Sequence, residues 1–201
     1  MADSLVHLAS ASPRRRDILA SLGICHSWEG VDIDETPLPD EPAAEMALRL
    51  ALNKARESRR RRGGDVAILG ADTVVALDAR LFGKPSCRKE GLAMLSELSG
   101  RVHKVFTAVV LGTASREVDA ISATDVRFRR IEPEEALRYW DTGEPADKAG
   151  AYAIQGLGGM FVEKLTGSWS GVVGLPVFET ARLLREIGID VLPAGASSRR
   201  S

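Results

Sequence analysis

The sequence predicts a fold of the α/β or α+β type, in which helices pack against one β-sheet. Short apolar runs typical of buried strands alternate along the chain with segments whose apolar residues recur at helical spacing. Hydrophobic residues make up 44% of the 201 residues and charged residues 27%, a balance typical of a globular domain with a substantial core. The sequence contains no internal repeat, and its pattern alone does not give the order of the strands.

The N-terminal part of the chain is predicted to contain a strand and two helices. Residues 5–9 form a short apolar run that is typical of a buried strand. A helix is predicted over residues 14–22, because apolar residues recur at helical spacing there and Gly23 follows. The acidic, proline-containing segment 31–40 is predicted to be a loop. A long helix with an alanine-rich face is then predicted over residues 42–60.

Residues 66–69 and 74–77 are apolar segments typical of strands, and they lie on either side of residues 70–73, which include Asp72. Further along the chain, the same criteria predict helices over residues 88–98, 133–140 and 176–187, and strands over residues 102–111, 117–128 and 161–165. Residues 193–201, which are rich in Ala, Ser, Gly and Arg, are predicted to be a disordered tail. A single domain is therefore expected to span residues 1–192.

Charge and cysteine content narrow the class of protein. The 27 basic and 28 acidic residues nearly cancel, so no global charge favours nucleic acid or an anionic membrane. The basic run at residues 59–62 lies at a predicted helix C-terminus, where cations complement the dipole, and is interpreted as a solvated helix end. Cys25 and Cys87 are far apart in the sequence, which argues against a disulfide framework or a zinc ribbon. The sequence shows neither a secretory signal nor a membrane span. We expect a cytoplasmic protein that binds neither nucleic acid nor membrane.

The segment that contains Ser10, Ser12 and Arg14–Arg16 has the pattern of a phosphate-binding site. A predicted strand runs into a turn of small hydroxyl residues, where Ser12 suits the N-cap and Pro13 the first helical position. Backbone N–H groups and the positive end of the helix dipole then meet arginine side chains. Arg15 shares a face with apolar residues and is expected to point inward. The alternative is a capped surface helix, but cations at a helix N-terminus oppose the dipole unless an anion compensates.

Asp72 lies within an apolar run, where a carboxylate is costly unless it is paired, hydrogen-bonded or bound to a metal. An aspartate in a tight turn between two strands is the alternative interpretation. Glu35, Lys54 and Lys84 lie at the borders of apolar segments, and each on its own is more typical of a solvated charge. In combination, carboxylates that hold Mg²⁺ and lysines that offset triphosphate charge form a consistent site.

The glycine-rich segment 147–159 contains Gln155, whose side-chain amide offers both a donor and an acceptor. Such a pair can match the edge of uracil or thymine, which also offers both. Composition alone favours a glycine-rich hairpin without a binding role, so both interpretations stay open at this point.

Seven segments in order along the chain resemble the Maf family, and together they extend from about residue 5 to residue 187. They are S-A-S-P-R-R (10–15), L-A-L-N-K-A (50–55), G-A-D-T-V-V (70–75), G-K-P (83–85), L-S-G-R-V-H (98–103), D-K-A-G-A-Y-A-I-Q-G (147–156) and G-S-W-S-G-V-V-G-L-P (167–176). One such segment has little specificity, whereas the ordered set is highly specific. The last segment departs from the family pattern, because Trp169 and Gly171 stand where members commonly have Tyr and often Asn or Ala, and these positions bear on the substrate-side wall.

The resemblance implies a two-lobed α/β fold similar to that of inosine triphosphate pyrophosphatase, with a mixed sheet flanked by helices and the active cleft between the lobes. It also implies hydrolysis of dTTP and UTP between the α- and β-phosphates, with Mg²⁺ or Mn²⁺ as the cofactor. A homodimer is a further family expectation. The alternatives are a pyrophosphatase for modified or non-standard nucleotides and a non-catalytic nucleotide sensor that regulates cell division.

The resemblance also assigns roles to residues at matching positions of this sequence. Asp72 is expected to be the proton acceptor and, together with Glu35, a metal ligand. The residues expected to bind phosphate are Ser10, Ser12, Arg15, Lys54 and Lys84. The residues expected to separate the dTTP/UTP branch from a branch that acts on 7-methyl-GTP are Arg14, Thr73 and Gln155.

Overall fold

The computed structural model describes residues 5–192, and over this range the chain forms one seven-stranded mixed sheet flanked by helices. The strands are β1 (Val6–Leu8), β2 (His26–Trp28), β3 (Ala67–Leu77), β4 (Arg80–Phe82), β5 (Val102–Gly112), β6 (Glu117–Phe128) and β7 (Val162–Thr166). The helices are α1 (Pro13–Ser21), α2 (Ala43–Arg62), α3 (Arg88–Leu98), α4 (Pro133–Trp140), α5 (Trp169–Val173) and α6 (Val177–Glu186), with short 3₁₀ turns at Glu144–Asp147, Ala149–Ala151 and Leu157–Phe161. The predicted mixed sheet flanked by helices is confirmed. The predicted tail at residues 193–201 lies outside the described residues.

Strand β3 is the central strand and belongs to both halves of the sheet. The strand order is β2-β1-β3-β5-β6-β7, with β4 paired to β3 as well. On one side, β3 pairs in parallel with β1 up to Leu69 and antiparallel with β4 from Val75 onwards. On the other side, β5 pairs antiparallel with β3 without interruption from Ile68 to Ala76. Residues 70–74 of β3 therefore have no strand partner on the first side, and a gap opens in the sheet between β1 and β4.

The two predicted strand segments, 66–69 and 74–77, belong to one continuous strand, so the tight turn that was the alternative for Asp72 is excluded. Gly70 and Asp72 resemble turn residues, but both are paired with β5, opposite Val110 and Ala108. Gly70 lets helix α2 approach closely, since a Cβ atom there would lie 2.3 Å from the carbonyl oxygen of Ala51. Tertiary pairing and packing thus override the local turn propensity. The three-residue strands β2 and β4 and the short helix α5 were not predicted.

We expect Gly70→Ala to destabilise the fold. The added methyl group would overlap backbone atoms of α2, so helix and strand must separate, at a cost of about 1–3 kcal/mol or more. Thermal unfolding should therefore shift downwards by several degrees, at about 2–4 °C per kcal/mol for a chain of this size. The matched control is Gly112→Ala in β5, where a Cβ atom would meet only the end of Arg59 at 3.8 Å. An unchanged melting temperature for Gly70→Ala would show that α2 does not rely on this close approach.

The two faces of the sheet are covered differently. Helix α2 packs on the face that carries Ile68 and Val74 of β3. The opposite face carries two separate apolar clusters, one around Leu69 with α1 and α6, and one around Val75 with α3 and α4. Strands β3 and β5 run through both clusters, and the division of the chain into two lobes stays a prediction. Within residues 5–192, no helix combines the length and apolar character that crossing a bilayer requires.

Candidate active site

A cleft of about 580 Å³ lies at the gap between β1 and β4. Its wall includes the turn before α1, the buried stripe of α2, the middle of β3 and the segment around residues 147–155. All of the side chains predicted to form the site line this cleft: Ser10, Ser12, Arg14, Arg15, Glu35, Lys54, Asp72, Thr73, Lys84 and Gln155. The structure therefore brings the predicted residues together, while the role of each stays a prediction.

One lysine joins two carboxylates at the floor of the cleft. The Nζ atom of Lys54 lies 2.6 Å from Oδ1 of Asp72 and 2.6 Å from Oε1 of Glu35. Lys54 and Asp72 are each 8% exposed, whereas the Glu35 side chain is about half exposed. Asp72 lies on the face of β3 that α2 covers, and Lys54 lies on the buried stripe of α2. The packing of α2 on the sheet therefore brings the two side chains into contact. A single positive charge thus faces two negative charges in a partly dehydrated site.

The Glu35 carboxyl group is ionised at neutral pH in this arrangement. Burial on its own raises the pKa of Glu35, but the hydrogen bond and charge of Lys54, together with the charges of Lys84 and Arg15, outweigh it. The net effect is a pKa below the ordinary value of 4.5. Glu35 is therefore available as an anionic ligand over the whole physiological pH range.

Arg15 is a buried cation held by neutral groups. It is 9% exposed, and its Nε, Nη1 and Nη2 atoms donate to the carbonyl oxygen of Gly174 at 2.8 Å, to Oγ of Ser10 at 3.1 Å and to Oγ1 of Thr73 at 3.4 Å. Burial lowers the pKa of Arg15, and the negative charge of Asp72 opposes that effect. Within residues 5–192 Arg15 forms no ion pair. A buried guanidinium without a carboxylate partner beside a cleft is a strong attractor for an anionic ligand.

The turn before α1 adopts the predicted cap geometry but not the predicted cap hydrogen bond. Ser12 occupies the N-cap position with extended backbone, and Pro13 is the first helical residue. The Ser12 side chain accepts no hydrogen bond from the first helical turn; instead its own backbone N–H donates to Oγ of Ser10 at 3.2 Å. The Ser10 hydroxyl thereby links the turn to Arg15, which fixes the arginine relative to the start of the helix.

The rim of the cleft carries further charge. Lys148 lines the cleft and forms an ion pair with Asp147, which also lies near the positive charge of Arg14. Lys148 belongs to the D-K-A-G-A-Y segment, but the sequence gives no separate signal for it, because an adjacent Asp-Lys pair is typical of a solvated surface. Five basic and three acidic side chains line the cleft, although the whole chain has a net charge of −1. This local excess of positive charge suits a polyanionic ligand.

Gln155 is exposed and lines the cleft, on a loop that is anchored by hydrogen bonds to Glu144. Glu144 accepts hydrogen bonds from the backbone N–H groups of Leu157 and Gly158, both at 3.0 Å, and from the Tyr139 hydroxyl group at 2.7 Å. Burial raises the pKa of Glu144, but these donors outweigh it and the net pKa is lowered, so the carboxylate that anchors the loop is ionised. The segment therefore consists of short 3₁₀ turns that Glu144 ties together, and it is not a glycine-rich hairpin.

The two positions that depart from the family pattern do not line the cleft. Trp169 is 52% exposed at the start of α5, and Gly171 lies inside α5 against Ser168 and Ser122. The wall near them is formed by the end of α5 and by Gly174. The departure at these two positions therefore leaves the residues that line the cleft unchanged, while Val172 and Val173 of the same helix do line it.

Comparison with known proteins identifies the family. A family profile described as "Maf-like protein" matches residues 5–187. The chain belongs to the Maf family. The resemblance inferred from the seven sequence segments is confirmed. Among Maf relatives, a protein of Alkalilimnicola ehrlichii named dTTP/UTP pyrophosphatase is 49% identical over 92% of this chain and 94% of its own length. A protein of Methylococcus capsulatus with the same name is 47% identical over 94% of this chain and 95% of its own length.

Solved structures offer a more partial likeness to this Maf protein. The crystal structure of a nucleoside-triphosphatase, or dITP/XTP pyrophosphatase, from Mycobacterium abscessus is 22% identical to it, with a TM-score of 0.39 over 63% of this chain and 74% of that chain. An overlap of this extent does not establish a shared fold. The predicted similarity to inosine triphosphate pyrophosphatase therefore stays a prediction.

Proposed function

We propose that this Maf protein hydrolyses nucleoside triphosphates, with dTTP and UTP as substrates, to the nucleoside monophosphate and pyrophosphate. The observation that carries the proposal is the convergence of two groups on one cleft. Arg15 offers a buried positive charge without an acidic partner, and Lys54, Asp72 and Glu35 form an ionised cluster at the floor of the same cleft. The names of relatives that are 47–49% identical support the choice of dTTP and UTP.

In the proposed reaction Asp72 takes a proton from a water molecule. The water oxygen forms a bond to the α-phosphorus atom, the bond between that phosphorus and the α–β bridging oxygen breaks, and pyrophosphate leaves with the bonding electrons. Arg15, Lys54 and Lys84 stabilise the negative charge that accumulates on the leaving group, since cations in a partly dehydrated site act more strongly than in water. Ser10 keeps Arg15 in place through its hydrogen bond.

A divalent cation, Mg²⁺ or Mn²⁺, is part of the proposal. Within residues 5–192 no cluster of three or more His, Cys, Asp or Glu side chains is arranged to hold a metal, so the protein offers only the pair Asp72 and Glu35. That donor set fits Mg²⁺, which is commonly held by one or two carboxylates together with substrate phosphates and water. When bound, the cation supplies charge neutralisation and Lewis-acid activation of the phosphate oxygens.

The proposed function is tested by incubating the protein with dTTP and Mg²⁺ or Mn²⁺ and identifying the products by ³¹P NMR. We expect dTMP and pyrophosphate in equal amounts, and no turnover in excess EDTA. Release of orthophosphate would indicate a phosphatase instead, and binding without turnover would indicate a nucleotide sensor. A panel that includes UTP, CTP, purine triphosphates and modified nucleotides then ranks the substrates. A better rate on a modified nucleotide would overturn the choice of dTTP and UTP.

We expect Gln155→Ala to reduce selectivity more than turnover. If the Gln155 amide pairs with the donor and acceptor of the base edge, its loss should lower the preference for dTTP over CTP by about tenfold or more. The measurement is the ratio of kcat/KM values for the two substrates. Leu157→Ala is the matched control, because Leu157 lies on the same anchored loop, is exposed and does not line the cleft. An unchanged substrate ranking for Gln155→Ala would assign Gln155 to the scaffold.

A further inference from the structure

A line of hydroxyl groups crosses the sheet between the two apolar clusters. Thr73 of β3 is directly opposite Thr107 of β5, which in turn is opposite Ser122 of β6. Thr107 is fully buried and does not line the cleft, whereas Thr73 does. A buried hydroxyl group in an otherwise apolar face is costly unless it is hydrogen-bonded, so the partners of Thr107 indicate what it contributes.

The hydrogen bonds of Thr107 have a single consistent direction. Its hydroxyl group donates to the carbonyl oxygen of Gly171 at 2.7 Å, and its Oγ1 atom lies 3.0 Å from Oγ1 of Thr73. A hydroxyl group has one proton, and the proton of Thr107 is used for Gly171. Thr73 must therefore donate to Thr107, which leaves Thr73 only acceptor lone pairs. These lone pairs face Arg15, whose Nη2 atom donates to Thr73 at 3.4 Å.

The chain of hydrogen bonds closes on itself through α5. Arg15 donates from Nε to the carbonyl oxygen of Gly174, just beyond the helix whose Gly171 carbonyl oxygen accepts from Thr107. Arg15, Thr73, Thr107 and the segment from Gly171 to Gly174 thus form a ring in which each hydrogen bond has a defined donor and acceptor. Closed networks of this kind hold their members in one arrangement more firmly than single bonds do.

We propose that Thr107 is a positioning residue for nucleotide binding, which fixes the Thr73 hydroxyl group as an acceptor and thereby holds Arg15 in the orientation that receives phosphate. This inference rests on the proposed function, since Arg15 is taken to bind the triphosphate. Without the Thr107 hydroxyl group, the Thr73 proton has no acceptor in the sheet and is free to turn towards the guanidinium, where a donor would oppose Arg15. Nothing in the ring requires Thr107 to touch the nucleotide.

The test is a double-mutant cycle with Thr107→Val and Thr73→Val. Valine has nearly the shape of threonine, so the hydroxyl group is removed with little change in packing. We expect Thr107→Val to lower kcat/KM for dTTP about tenfold, the scale of one weakened hydrogen bond to a charged group, and to weaken binding of α,β-methylene-dTTP to a similar extent. In the Thr73→Val background the same substitution should change either quantity less than twofold, because its effect passes through Thr73. Thr107→Ser should restore most of the loss.

Control variants separate positioning from a general loss of stability. Thr180→Val removes the hydroxyl group of another fully buried threonine, on α6, which has no hydrogen-bond partner among the described residues, and it should leave the kinetics unchanged. If Thr107 only supports α5, Thr107→Val will lower the melting temperature and reduce activity by the same factor in both backgrounds, and the proposal fails. Should Thr107→Val not fold, Thr107→Cys enters the cycle in its place. The binding measurements decide the inference even if the wild-type protein binds dTTP without hydrolysing it.

Discussion

Asp72→Asn should fold normally and lose at least about 10²- to 10⁴-fold in kcat with dTTP, the usual contribution of a positioned general base. Asparagine has the same size, and its side-chain oxygen can still accept the hydrogen bond that Lys54 donates to Oδ1 of Asp72. It cannot take a proton from water, and it removes one of the two negative charges offered to a divalent cation. The measurement is kcat at saturating dTTP and Mg²⁺, with the melting temperature recorded alongside.

The surface pair Lys104 and Asp125 provides the control for this variant. Its Nζ–Oδ1 distance of 2.6 Å equals that of Lys54 and Asp72, but both side chains are about half exposed and lie away from the cleft. Asp125→Asn should therefore leave kcat unchanged, because exposed ion pairs contribute little and this one does not contact the ligand. Retention of most activity by Asp72→Asn would remove Asp72 from the role of base.

Lys54→Met should lower kcat/KM by about 10²- to 10³-fold, because it removes a preorganised positive charge from the phosphate site. It also leaves two carboxylates without their shared partner. The Oδ1 atom of Asp72 and the Oε1 atom of Glu35 each lie 2.6 Å from the same nitrogen, so they are at most twice that distance apart. Like charges at this separation repel, and a protonated carboxyl group is then favoured.

The pH profile of Lys54→Met gives a second readout with a defined sign. In the wild-type protein burial raises the pKa of Glu35, while Lys54 and two further cations lower it below 4.5 overall. Removing Lys54 takes away the strongest of the lowering effects, so the pKa of Glu35 rises, and the acid limb of the activity profile should move to higher pH. Lys104→Met is the matched control and should move neither rate nor profile. An acid limb that stays in place would show that Glu35 ionisation does not limit activity.

The resemblance to the Maf family named more of the residues that line the cleft than the residue pattern did, and the pattern missed some of the elements that carry them. The inward orientation of Arg15 followed from its spacing relative to apolar residues, and the cost of a charge in an apolar run singled out Asp72. The contact between Lys54 and Asp72 could not be predicted, because it depends on how α2 packs over the sheet. The sequence gave no indication that Thr107 has a role, because a threonine is common in a strand that is rich in β-branched residues. Its importance depends on the register that places it opposite Thr73.

The gap in the sheet between β1 and β4 also leaves a stretch of the central strand without a neighbour. Strand edges without a neighbour are templates on which another chain can add by backbone pairing, and natural proteins blunt them with charge or keep them short. The open stretch of β3 covers only residues 70–74, is bounded at both ends by paired strands, and carries an ionic group at its centre. The Asp72–Lys54 pair therefore gives this short open stretch the charge and the limited length by which natural proteins keep strand edges from pairing with another chain.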